Sequence, residues 1–145
     1  MTPGRRALLA AGLALAAVRP AAAAVLPVQD AKDVRSVVEA QLRALAAGDA
    51  ERAFSYAAPA IRAQFGDAQR FMAMVAGSYP MVIRPAATVF FKPTLDADGD
   101  VLQVVQLRDG AGKLWRASYL LARQPDSQWR IAGCVVGPGT TAGTT

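Results

Sequence analysis

The chain has 145 residues, with 16 Lys and Arg against 11 Asp and Glu, one cysteine and no histidine. That length supports one domain, the single cysteine excludes an internal disulfide, and there is no metal-ligand cluster, nucleophile motif or phosphate loop to place a known chemistry. The formal charge of +5 does not by itself mark a nucleic-acid binder, because part of it lies at the start of the chain.

Residues 1–24 read as a secretory signal. Arg5 and Arg6 form a basic n-region, Ala7 to Val18 an uncharged apolar run, and Ala21 to Ala24 a small-residue cleavage region after Pro20. The run is shorter than the roughly 20 residues a membrane span needs, so no stable membrane anchor is expected after cleavage. The pair Arg5-Arg6 before Ala7-Leu8-Leu9 weakly resembles a twin-arginine signal, which leaves Sec and twin-arginine export both open. No cysteine lies near the cleavage region, which excludes a lipoprotein anchor. The expected location is periplasmic or secreted. With Arg5, Arg6 and Arg19 removed, 13 basic residues remain against 11 acidic ones, a net of +2. They are scattered singly, so no nucleic-acid surface is expected.

The domain is expected over residues 25–136. Asp30 can cap a first helix whose Val34, Val37, Val38, Leu42 and Leu45 fall on one stripe, and Gly48 can end it in a left-handed conformation. Asp49 caps a short second helix through Tyr56. Pro59 opens a third through Phe65, and Gly66 closes it. Asp67 caps a fourth to about Ala76, with Phe71, Met74 and Val75 on its buried face. Tyr79 to Pro85, with two prolines, reads as an extended connector or edge strand. Thr88 to Leu95 reads as a strand, followed by a turn at Asp98-Gly99. Val101 to Arg108, Leu114 to Arg123 and Trp129 to Val136 complete a meander. Alternation in the last strand puts Trp129, Ile131, Gly133 and Val135 on one face and Arg130, Ala132, Cys134 and Val136 on the other. Both faces are largely apolar, which points to a central strand, and Cys134 reads as an inert core thiol. Residues 137–145, rich in glycine and threonine, are expected to be disordered.

Helices followed by a four-stranded antiparallel meander make an α+β fold in which a curved sheet wraps the first helix. The strings Asp49 to Phe54, Pro59-Ala60-Ile61-Arg62-Ala63-Gln64-Phe65-Gly66 and Phe71 to Val75 resemble the helical half of the bacterial DUF4864 family. Tyr79, Arg84-Pro85, Trp115, Tyr119 and Trp129-Arg130-Ile131-Ala132-Gly133-Cys134 resemble its other half. The resemblance implies an NTF2-like, or cystatin-like, cone whose open end is a small-molecule site, but the family carries no assigned function. Folds of this type serve isomerases, dehydratases and non-catalytic binding domains alike.

Every carboxylate has a structural use in this reading. Asp30, Asp49 and Asp67 are caps, Asp96, Asp98, Asp100, Asp109 and Asp126 belong to turns, and Asp33, Glu39 and Glu51 lie on helix surfaces. The Asp96-Asp98-Asp100 spacing fails as a calcium loop, because Val101 and Leu107 stand where glycine and glutamate are needed. The expected pocket comprises Tyr56, Arg62, Phe65, Met74, Tyr79, Arg84, Trp115, Arg116 and Tyr119. An arginine among them that points inward would anchor a carboxylate or phosphate; otherwise it is a solvated arginine or a cation over Trp115 or Tyr119. The expected function is non-catalytic binding of a small apolar or amphipathic ligand or a protein partner, with no cofactor, metal or catalytic residue. Two alternatives stand beside it. One is an isomerase- or lyase-like enzyme using a tyrosine, Tyr56 or Tyr119, with an aspartate. The other is a homodimeric interaction module with an apolar outer sheet face around Leu102, Val104, Trp115 or Leu121.

Overall fold

The computed structural model describes residues 25–140. The expected signal at 1–24 and the last residues of the tail, from 141 on, lie outside them. Among the described residues four α-helices come first, α1 Val28–Ala46, α2 Ala50–Ser55, α3 Pro59–Phe65 and α4 Ala68–Ser78. Five strands follow, β1 Ala87–Phe90, β2 Thr94–Leu95, β3 Val101–Arg108, β4 Leu114–Arg123 and β5 Trp129–Pro138. The fold is α+β, helices packed on an open antiparallel sheet.

Local chemistry sets most helix ends. Asp49 and Asp67 each accept a hydrogen bond from the amide three residues on, those of Arg52 and Arg70. Pro59 occupies the first turn of α3, and Gly66 ends that helix at φ +82°. α1 departs from expectation. It begins at Val28 directly after Pro27, whose fixed φ already suits the entry, so Asp30 lies inside the first turn and caps nothing. Asp30 makes a tertiary contact instead. Its Oδ1 accepts from Trp129 Nε1 at 3.4 Å and stands 3.7 Å from Arg123 Nη1. α4 continues through Gly77 to Ser78. The stretch after Tyr79 is not extended: Pro80–Val82 is one 3-10 turn, with Pro80 in its first position.

The strand order is β1-β3-β4-β5, with β2 also pairing with β3. The single strand expected over Thr88 to Leu95 is broken. The register slips by one residue between the pairs Phe90–Val105 and Thr94–Leu102, and Pro93 in the gap has no N–H to give the ladder. Fully buried Gln103 of β3 repairs the break. Its Nε2 donates to the Phe91 carbonyl at 2.7 Å and the Val104 carbonyl at 3.1 Å.

β5 lies at the sheet edge, not at its centre. Its two apolar faces come from a bulge: Leu120 pairs with Gly133 but Leu121 with Ile131, leaving Ala132 extra. The bulge reverses the alternation, so Trp129 and Ile131 share the inner face with Cys134 and Val136, and Val135 is 71% exposed. β5 also runs on to Pro138, so Gly137 and Pro138 belong to a strand and not to a disordered tail. Gly139 follows in register. Its amide donates to Leu114 O at 3.0 Å, and a Cβ there would lie 2.9 Å from the Leu114 and Trp115 backbone.

The inner face of the sheet and α1 form the core, with Val34, Val38 and Leu45 in one buried cluster with Val101, Val105, Leu121 and Ile131. The outer face carries Val89, Phe91 and Leu102 exposed beside Val135. Val104 belongs to that face, but Trp115 and Leu121 do not: they alternate onto the core side, and Leu121 is fully buried.

Gln103→Leu should lower stability by about 1 kcal/mol, the net worth of the bond its Nε2 gives the Phe91 carbonyl, since Phe91 is exposed enough for water to replace part of it. Urea unfolding measures this. An unchanged midpoint would show that the side-chain bond does not hold the strand break together.

Candidate functional site

The bulge in β5 and the short helices α3 and α4 enclose a cavity of about 510 Å³. α3 is a poor core helix, with none of its residues buried. It forms a wall by presenting Ile61 and Phe65 to the cavity. The Phe65 ring packs edge-on against Phe71 at 5.8 Å, and Phe71 lies 5.5 Å from Phe54, so an aromatic chain ties α3 to α4 and α2. α4 adds Met74 and Val75, α1 adds Leu45, and the sheet adds Ile131 and Val136.

The polar groups of the lining are all neutral. Gln64 and Ser78 are exposed and Tyr79 is half-buried, while Gln41 and Tyr119 are buried and Cys134 beside Tyr119 is half-buried. The first set therefore forms the rim and the second the floor. Among the described residues, no Asp, Glu, Lys or Arg lines the cavity. Gln41 is fixed by its Nε2, which donates to Ala53 O at 3.2 Å.

Tyr119 pairs with Cys134 across β4 and β5, and with Gln103 across β3 and β4, so three polar side chains form a row on an otherwise apolar face. Burial raises the Cys134 thiol to about 12, with the Tyr119 hydroxyl beside it pulling the other way. Burial, and then the neighbouring thiol, hold the Tyr119 phenol well above its ordinary value. Both groups keep their protons at neutral pH.

Residues 27–143 match the family model described as Domain of unknown function (DUF4864). The chain belongs to the DUF4864 family. Every residue lining the cavity falls inside that match. No curated protein and no solved structure matches the chain.

Of the nine pocket residues expected from sequence, this DUF4864 chain brings four to the cavity: Phe65, Met74, Tyr79 and Tyr119. Tyr56 stands at the end of α2 with its carbonyl engaged by the Ile131 amide. The Arg62 guanidinium lies 5.5 Å over the Phe54 ring. That of Arg116 lies 5.3 Å over Phe91, on the outer sheet face. Arg84 Nε donates to Ala46 O at 3.0 Å, satisfying a carbonyl at the end of α1. None of these three arginines forms an inward anchor. Arg84 and Trp115 instead border a second, more open hollow of about 370 Å³ with Met81 and Asp109. There Trp115 Nε1 donates to Asp109 Oδ2 at 3.0 Å, and Lys113 Nζ lies 4.1 Å from the Trp115 ring centre. The Trp115 bond, with the Lys113 and Ala111 amides adding to it against desolvation, holds the Asp109 carboxyl below its ordinary range.

Sequence reasoning missed Gln41, Gln64, Ser78 and Cys134 as lining residues. Gln41 carried a signal, since it interrupts the apolar stripe of α1 one residue before Leu42. Cys134 carried none, because its facing depends on the bulge.

The DUF4864 thiol should be inert. At pH 8, a group raised from 9.0 to about 12 holds on the order of a thousandfold less thiolate. Iodoacetamide should therefore alkylate native Cys134 at least about a hundredfold more slowly than the urea-unfolded chain. Mass spectrometry of timed samples reads this, and equal rates would contradict the buried setting.

Proposed function

We propose that this is an exported, non-catalytic binding protein that holds a small apolar or amphipathic molecule in the cavity between α3, α4 and β5. The observation that carries the reading is the lining itself: about 510 Å³ lies within the roughly 300–1,000 Å³ typical of ligand sites, with an apolar wall and a few convergent neutral polar groups. The curved sheet closed by helices is then the cone of an NTF2-like fold, opening at the rim formed by Gln64 and Ser78. Export rests on the signal pattern of residues 1–24. Among the described residues, no helix is long and apolar enough to cross a membrane.

The enzyme alternative requires a carboxylate on the cavity wall opposite a tyrosine. The lining offers Tyr79 and Tyr119 with no acidic partner, and several of the acids are engaged elsewhere. Asp96, Asp109 and Asp126 accept amides of their own turns. Glu39 pairs with Arg35. The interaction-module alternative draws on the outer face, where Val89, Phe91, Leu102 and Val135 are exposed. It predicts a homodimer, read directly by native mass spectrometry of the mature protein purified from a periplasm. The same spectrum reports the cleavage point and any retained ligand.

For the binding reading, the expected result is that the protein enhances the fluorescence of N-phenylnaphthylamine, and that Met74→Trp, which fills the cavity, weakens this by at least about tenfold, a loss of about 1.4 kcal/mol. Circular dichroism should stay unchanged, since Met74 is only half-buried. Unaltered binding with an unaltered fold would place the probe outside the cavity.

A further inference from the structure

We infer that the cavity takes an amphiphile with an uncharged oxygen head group, an alcohol or a carbonyl compound, and rejects carboxylates and ammonium ions. This inference rests on the binding reading above and names the ligand class for that same site.

The first ground is electrostatic. An ionised head group that enters the cavity leaves its hydration behind, and no lining residue supplies a counter-charge among those described. An unpaired charge in an apolar surrounding costs far more than burial of an alkyl chain returns. Arg62, Arg84 and Arg116 are turned away, to the Phe54 ring, the Ala46 carbonyl and the Phe91 ring.

The second ground is the chemistry of the floor. Tyr119 and Cys134 bear protons, are paired across the strands and hydrogen-bond to each other, so between them they leave one O–H or S–H donor for a ligand at neutral pH. Gln41 has its Nε2 held by the Ala53 carbonyl, which leaves its Oε1 as the acceptor. A neutral hydroxyl can both accept and donate here, and a carbonyl can accept. A carboxylate could use the donor, but it would face the Gln41 oxygen and bring an uncompensated charge. An ammonium could donate to the Gln41 oxygen and the Tyr119 hydroxyl, but no carboxylate in the lining would balance its charge.

The experiment uses the mature protein with bound N-phenylnaphthylamine at pH 7 and three competitors of equal chain length: decanol, decanoate and decylamine. Decanol should displace the probe at a concentration at least about tenfold below that of either ion, about 1.4 kcal/mol of discrimination. Ser78→Lys, a change at an exposed rim position, should narrow the gap between decanol and decanoate by bringing a cation to the cavity mouth. Equal displacement by decanoate or decylamine in the wild-type protein overturns the inference and leaves the binding reading standing. So does a decanol-to-decanoate ratio that Ser78→Lys does not move. Failure of the probe to bind, or of all three competitors to displace it, overturns the binding reading and this inference with it.

Discussion

Ile131 exchanges both of its outward backbone groups with the link between α2 and α3. Its amide donates to Tyr56 O at 2.8 Å, and its carbonyl accepts from Ala58 N at 2.8 Å. An edge strand must either expose such groups or find them partners. Here the partner is a short parallel bridge at Ala57, a residue with almost no exposed surface. Small side chains at Ala57 and Ala58 let the two backbones approach. This fixes where α2 ends and where α3 begins relative to the sheet. One residue beyond the bridge comes the bulge at Ala132, and past it β5 faces the cavity with Cys134 and Val136. The bridge thus anchors one end of the helical layer, and the bulge shapes the wall that the layer encloses.

The polar groups inside this fold are few and mostly tied. Gln103 mends the interrupted edge strand, although its Oε1 is buried without a hydrogen-bond partner among the described residues. Gln41 ties α1 to α2 through Ala53 O. Asp30, with a side chain only 15% exposed, stands against Trp129 and Arg123 and joins the start of α1 to the start of β5. The basic side chains are meanwhile displayed outward. Arg35, Arg62, Arg116 and Arg123 each lie over an aromatic ring, where the stem covers apolar surface and the head stays wet. The positive charge is therefore a property of the exterior, and the interior remains neutral.

What sequence could show followed the range of the forces involved. Asp49, Asp67, Pro59 and Gly66 act within one helical turn, so their roles were legible residue by residue. The turns at Asp96–Asp100 and Asp109–Lys113 were legible for the same reason: each aspartate accepts amides from its own loop. Pro93 was a visible sign that the strand before β3 could not run unbroken, yet its effect depends on Gln103 reaching across from the next strand. The bulge at Ala132 left no local trace, and with it went the facing of Cys134 and the edge position of β5. The arginines misled for a related reason. Arg62 and Arg116 stand among apolar residues in the chain, but their rings, Phe54 and Phe91, are chosen by tertiary geometry. Asp30 looked like a cap because it stands at the right distance from the stripe of α1, and only the structure shows that Pro27 had already started the helix.

The tie between Asp30 and Trp129 spans 99 positions of chain, and it has a kinetic consequence. The meander from β3 to β5 is built from neighbouring hairpins, and the four helices are each local, so both halves can begin to order early. The first helix can reach its final seat only once the last strand exists. A chain still lacking β5 has no Ile131 to receive Ala58 and no Trp129 to meet Asp30, and it leaves the apolar stripe of α1 without one of its two sheet partners. Closure is thus a late, long-range event. Synthesis from the N-terminus presents the helices first and withholds the strand that completes them, with Trp129 following Asp30 by 99 positions.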